Sequence, residues 1–286
     1  MKHWRNRAAA LGLSLCLVGA LCPVARAAAG PEVSAQSAVV LTADTGTVLF
    51  EKDGHTPRPV ASTTKIMTAL LALEAAQERG DPLVDITQEM VAVEGSSMGL
   101  QAGDSISLTG LAAGMLLASG NDAANAAALY LDGSLESFAA RMNQRAAALG
   151  MEDTHFVTPS GLDGEDAQGL GHLSTAYDMA LLARAALEDQ AFRQLCSSPS
   201  LAVEFAEPVK RVTYTNHNKL LAQYQGCVGV KTGFTKEAGR CLVSAAERDG
   251  ALLIAVTLNA PNDWEDHTAL LDYGFANYEM ATLQLP

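Results

Sequence analysis

The apolar period of this chain changes along its length, and the order of those changes limits the folds open to it. Val39 to Glu51 (VVLTADTGTVLFE) alternates about Asp44-Thr45-Gly46, the pattern of a hairpin. From Ser62 to about Leu195 the apolar residues fall mostly at helical spacing. Short β-rich segments then recur at Leu201–Phe205, Arg211–Asn216, Cys227–Thr232, Gly239–Ala246 and Leu252–Leu258, and a last helix is expected over Trp264 to Tyr278. Strands near both ends around a helical block give an α+β class. No Pro/Ser-rich linker and no repeat divides residues 28–286, so one domain with a substantial core is expected.

The first 27 residues read differently. Lys2, Arg5 and Arg7 precede an apolar stretch from Ala8 to Leu21, and Ala25-Arg26-Ala27 offers a small-x-small cleavage site. That is the pattern of a secretory signal peptide over residues 1–27, too short for a comfortable membrane span. Large Leu21 and Leu15 stand before Cys22 and Cys16, which disfavours lipidation of either cysteine. The mature chain is expected to be exported without a membrane span.

Removal of that segment leaves 15 basic against 32 acidic residues, a formal charge of −17. Such a surface repels phosphate backbones and anionic lipid heads, so nucleic acid is not an expected partner. Cys196, Cys227 and Cys241 remain. Cys227 and Cys241 flank a proposed hairpin and export permits a disulfide, but free thiols are expected. The six histidines lack metal-ligand spacing, and no metal or cofactor is expected.

Three polar clusters carry the chemistry. Pro57 and Pro59 hold the preceding segment extended, and Ser62-Thr63-Thr64-Lys65 then opens a helix with Ile66, Ala69, Leu70 and Leu73 on one face. Lys65 falls on the same side as Ser62, three residues on. Serine needs a base to become a nucleophile, and lysine serves only when neutral. The helix dipole, burial and a second cation such as Lys231 all favour the neutral amine. The alternative is a Ser cap followed by a solvated Lys.

Ser119-Gly120-Asn121 interrupts two apolar helices, Leu108–Leu117 and Asp122–Leu131. Gly120 is expected to supply a tight turn that aims Ser119 and Asn121 outward. A hydroxyl there relays a proton and an amide positions a substrate or the base; the alternative is that Asn121 caps the second helix. Lys231-Thr232-Gly233 lies on a β-rich segment whose antiparallel partner is Gly239–Ala246. Gly233 allows an acyl group close to the backbone, and an edge strand here would pair with an extended peptide. Lys231 supplies positive charge and Thr232 a hydroxyl for a carboxylate. Only six lysines follow the signal segment, and two fall in these clusters. An ordinary hairpin with a solvated lysine is the alternative.

With these clusters in this order, the chain resembles the serine-type D-alanyl-D-alanine carboxypeptidases, the low-molecular-mass penicillin-binding proteins. Ser97-Met98-Gly99-Leu100 with Gly103-Asp104, Met142-Asn143, Pro159 to Asp163, Ser174 to Ala180, Asn216-His217-Asn218 and Lys231 to Gly239 extend the likeness over Ala35 to Tyr278. The resemblance implies a β-lactamase/transpeptidase-like fold, with a five-stranded antiparallel sheet flanked by helices and a site between sheet and helical region. It implies Ser62 as nucleophile, Lys65 as base and Ser119 in proton delivery. Asn121, Lys231, Thr232, Gly233, Phe234 and Thr235 would bind substrate, with the N–H groups of Ser62 and Phe234 holding the oxyanion. The implied substrate is a peptidoglycan stem peptide ending in D-Ala-D-Ala, with β-lactams as acylating inhibitors and a monomer as the expected state.

This chain departs from the family at two places. Many relatives carry Arg near the centre of Asn216-His217-Asn218 or just before the last helix, where this chain has His217 and the acidic run Asn262 to Asp266. The carboxylate would then fall to Thr232, Thr235 and Lys231, with Arg240 a further candidate. Larger relatives add a β-rich domain and an amphipathic anchor, whereas this sequence stops at Leu285-Pro286, which is compatible with a free extracytoplasmic protein or with a truncated sequence. Two rival functions share the clusters or the fold. A β-lactamase needs a carboxylate for deacylating water, with Glu165 the loose candidate; against a non-enzymatic wall-binding or penicillin-sensing module that keeps the fold stand the intact Ser62 and Lys65.

Overall fold

The computed structural model describes residues 30–278, so the signal segment over 1–27 lies outside the described residues. Strand β1 (Ser37–Thr42) and strand β2 (Val48–Lys52) form the first hairpin. A 3-10 turn (Ala61–Thr64) leads into α1 (Lys65–Arg79). Short β3 (Leu83–Asp85) follows, then the one-turn α2 (Gln88–Val91) and β4 (Ser105–Ser107). The helical block continues with α3 (Leu108–Leu117), α4 (Asn121–Asp132), α5 (Leu135–Ala148), α6 (Ala176–Glu188) and α7 (Gln190–Ser197). Next come β5 (Ser200–Phe205), β6 (Lys210–Thr215) and the short α8 (Leu220–Gln223). Strands β7 (Cys227–Thr235), β8 (Gly239–Arg248) and β9 (Ala251–Leu258) precede α9 (Asp263–Asn277).

The main sheet has five antiparallel strands in the order β2-β1-β9-β8-β7, which makes the architecture the expected α+β one. Alternate residues of each strand enter different cores, as the two-residue period of a strand requires. Val39, Leu41, Val243, Ile254 and Val256 face the helical block, while Ala38, Val40, Leu242, Leu253 and Ala255 pack with Leu270 and Leu271 of α9. Both faces are covered, which is why β1 and β9 read as almost continuous apolar runs. Strand β7 stands at an edge.

Two local features differ from the sequence reading, and the state of the cysteines agrees with it. Ser62 belongs to a 3-10 turn, and the α-helix begins only at Lys65. The hydroxyls of Thr63 and Thr64 donate to the carbonyls of Val60 and Ala61, three residues back, which favours the tighter turn. A two-stranded β3–β4 ladder interrupts the helical block; strands of three residues leave no period to read. Cys227 faces Ala246 and Cys241 faces Gly233 across the β7–β8 ladder, so these two thiols do not meet, and Cys196, Cys227 and Cys241, the cysteines among the described residues, are free.

Candidate active site

The 3-10 turn, the α3–α4 junction and β7 converge on a cleft of about 380 Å³. Ser62, Ser96, Ser119, Thr232, Gly233 and Phe234 line one part of it, and His217, Lys219, Arg240, Asp263 and Trp264 the rest. Lys65 is fully buried behind Ser62, which removes the solvated-lysine reading. Its Nζ lies 2.9 Å from Ser62 Oγ, 2.7 Å from Asn121 Oδ1 and 2.6 Å from the Ser160 carbonyl.

Those three contacts accommodate a neutral amine. Asn121 Nδ2 donates to the Glu94 carbonyl at 2.6 Å, which turns Oδ1 toward the lysine. Asn121 Oδ1 and the Ser160 carbonyl only accept, so a neutral amine spends its two N–H groups on them and presents its lone pair to the Ser62 hydroxyl. Burial, followed by the charge of Lys231, pushes the Lys65 ammonium well below the ordinary lysine range, against a smaller opposing pull from Asp122.

At the α3–α4 junction it is Ser119, with φ +59°, that takes the left-handed conformation. This costs about 1 kcal/mol for a residue with a Cβ. Gly120 has an ordinary φ of −59° and serves close packing instead: a Cβ there would lie 2.7 Å from Asp122 Oδ1 and 3.0 Å from Met98 N. Asn121 is the first residue of α4, with Gly120 at the cap, so its side chain is free to hold Lys65. Ser119 Oγ accepts from Lys231 Nζ at 3.0 Å. Lys231 is 1% exposed and also donates to the Thr232 carbonyl at 2.7 Å, and burial lowers it to about 7.

Gly233 brings β7 against the Ser62 turn. A Cβ there would lie 3.1 Å from both Ser62 N and Thr63 N. The N–H of Ser62 has no hydrogen-bond partner among the described residues. Phe234 projects its ring at the rim, 65% exposed.

Thr235 is not brought to the cleft: its hydroxyl donates to Asp163 Oδ1 at 3.2 Å and accepts from Ala238 N at 3.0 Å. Arg240 lines the cleft, but its Nε is held 2.9 Å from Asp263 Oδ1. Both facts follow from tertiary pairing that neither residue type announces. Glu165 lies in a separate depression of about 340 Å³ with Asp163, Glu237 and His172, and does not line the Ser62 cleft.

Several contributors went unread in the sequence. Ser160 acts through its carbonyl, which residue type does not encode. Buried Asp122 accepts from Ser97 Oγ at 2.5 Å and from the N–H groups of Met98, Gly99 and Leu100, clamping that loop to the start of α4. His172 accepts from Val157 N and Thr158 N on Nδ1, so Nε2–H donates to Thr64 Oγ1 at 2.7 Å and ties the Ser62 turn to the 155–174 segment. Burial, then the charges of His155 and Lys65, lowers His172 to about 3.

A serine with a buried lysine 2.9 Å behind it, and a second lysine on the edge strand of a five-stranded sheet, are the arrangement a serine acyl-enzyme hydrolase of the penicillin-binding class requires. Residues 24–262 match the family model for D-alanyl-D-alanine carboxypeptidase, Peptidase S11. The D-alanyl-D-alanine carboxypeptidase DacB2 of Mycobacterium tuberculosis is 36% identical over 252 residues, covering 86% of this chain and 84% of the relative. DacF of Bacillus subtilis is 35% identical over 86% of this chain, which spans 63% of that relative's length. The crystal structure of the Streptomyces K15 DD-transpeptidase superposes with a TM-score of 0.80 at 33% identity, covering 87% of this chain and 99% of that one. This chain belongs to the D-alanyl-D-alanine carboxypeptidase family of serine peptidases.

Proposed function

We propose that the protein removes the terminal D-alanine from peptidoglycan stem peptides through an acyl-enzyme on Ser62. The observation that supports this most is the Lys65 amine, buried, held by two carbonyl oxygens and 2.9 Å from Ser62 Oγ. Lys65 takes the Ser62 proton as Oγ bonds to the carbonyl carbon between the two D-alanines. The oxyanion so formed is held by the N–H groups of Ser62 and Phe234, which favours the transition state over the bound substrate. The carbon–nitrogen bond then breaks, and the leaving D-alanine amine takes up the proton that Lys65 received, relayed through Ser119 and Lys231, which stand 3.0 Å apart, so that Lys65 is neutral again. Water, deprotonated by Lys65, hydrolyses the ester and restores Ser62.

Substrate lies along the free edge of β7 as an added strand, with Thr232 donating to its terminal carboxylate and Lys231 supplying charge behind it. Penicillins, which present an acyl bond and a carboxylate at comparable spacing, acylate Ser62 and remain there. The separate position of Glu165 favours a slow deacylation over a β-lactamase's rapid one. The catalytic unit is residues 28–286, acting as a monomer where peptidoglycan lies, outside the cytoplasm. No described helix is long and apolar enough to cross a membrane.

The test is incubation with a defined stem pentapeptide and identification of products by mass. Loss of one alanine with release of free D-alanine supports the assignment. Intact pentapeptide, or rapid penicillin turnover in place of lasting acylation, sinks it.

A further inference from the structure

We propose that Lys219 is the specificity residue that selects substrates ending in a free carboxylate, by meeting that carboxylate in the cleft beside Thr232. The inference rests on the carboxypeptidase reading above and names the group that distinguishes its substrate.

Four side chains with ionisable groups line the cleft beyond Ser62: His217, Lys219, Arg240 and Asp263. Arg240 and Asp263 neutralise one another at 2.9 Å, and the Asp263 side chain is 4% exposed. Burial, followed by the charge of Lys231, lowers the His217 pKa, so its ring is neutral at neutral pH. Lys219 is exposed and has no carboxylate or hydrogen-bond partner among the described residues. Its Nζ instead stands 5.9 Å from the centre of the Trp264 ring, which attracts an ammonium without cancelling its charge. Lys219 is thus the uncommitted cation among the cleft-lining residues described.

Chain geometry brings the carboxylate there. In a peptide cut at its last bond, the terminal carboxylate is one residue beyond the carbon bonded to Ser62, and consecutive Cα atoms are about 3.8 Å apart. It therefore stays inside the cleft that Ser62, Thr232 and Lys219 share. A flexible four-carbon stem lets the ammonium follow a carboxylate that tilts as the leaving residue departs.

The experiment measures kcat/KM for two peptides, one ending in free D-alanine and the other in its amide, on wild type, Lys219→Met and Lys219→Arg. Loss of a charge-assisted contact should lower the acid-to-amide ratio of kcat/KM about tenfold or more in Lys219→Met, mainly through KM. Lys219→Arg should recover most of that ratio. An unchanged ratio in Lys219→Met, or equal losses on both peptides, overturns the proposal. Acylation by a penicillin and by its methyl ester gives the same comparison without D-alanine release. A wild type that acylates but frees no D-alanine overturns the functional reading alone.

Discussion

Asn121 Oδ1 lies 2.7 Å from Lys65 Nζ, and the same amide is anchored at its other end by the Glu94 carbonyl. The Lys65 amine is thus held by a side chain that is itself locked, and in the proposed mechanism this leaves its lone pair directed toward Ser62. Asn121→Ala should leave a buried N–H without an acceptor, at about 1–3 kcal/mol. Penicillin acylation should slow roughly ten- to a hundredfold while circular dichroism stays unchanged. A normal acylation rate would assign the amide to helix packing.

Ser62→Ala removes the only atom that forms the covalent bond in the proposed mechanism. Penicillin labelling and D-alanine release should both vanish, with thermal stability retained, because Ser62 is only partly buried. Intact-mass measurement after β-lactam exposure checks this; labelling that persists, or moves to Ser119, refutes the role.

Lys65→Arg puts a permanent cation where a neutral amine is required, since guanidinium does not deprotonate in proteins. Acylation should fall by orders of magnitude. In wild type, burial and then the charge of Lys231 lower the Lys65 pKa, which favours the neutral amine, and the rate should fall as acid protonates it. With Lys231 itself near 7, the apparent value belongs to the pair. A flat acid limb from pH 8 to 5 in stopped-flow acylation would point to another base.

Thr232→Val keeps the strand and deletes one hydroxyl. If that hydroxyl donates to the substrate carboxylate, a contact worth about 1.5–3 kcal/mol is lost, and kcat/KM drops roughly ten- to a hundredfold. An amidated peptide should lose less. Equal losses on both would make Thr232 a packing residue.

Two buried histidines should set the acid stability. His267 is fully buried between Ser244 Oγ and Thr257 Oγ1, and burial lowers both it and His172 to about 3. The unfolded chain binds these protons near pH 6.5, so their contribution is complete above that pH and declines as the pH falls toward 3. At pH 5 each should have lost about 2 kcal/mol. Urea unfolding from pH 7 to 4.5 should show a slope near two protons, reduced by one in His267→Asn. An unchanged slope in that variant would mean His267 titrates normally.

Much of the fold was legible because apolar period reports local structure directly. The β1–β2 hairpin, α3, α4 and strands β7 to β9 stand where Val39–Glu51, the two apolar helices and the late β-rich segments placed them. The 3-10 turn at Ser62 was not legible, because Thr63 and Thr64 look like helix residues until their hydroxyls find carbonyls three residues back. Nor was the left-handed Ser119, since Gly120 is the residue that turn chemistry nominates.

By itself the sequence determined which side chains are available: a serine three residues before a lysine, a Ser-Gly-Asn junction and a lysine on a β-rich segment. Only the tertiary structure decided what those side chains are. Burial favours a neutral Lys65, its amine is held by Asn121, 56 positions away, and Lys231 meets Ser119 across 112 positions. The same convergence ties Thr235 to Asp163 and Arg240 to Asp263, and leaves Lys219 open to the cleft. Protonation and pairing depend on the dielectric and the partners around a group. Those belong to the packed chain, and residue type alone does not carry them.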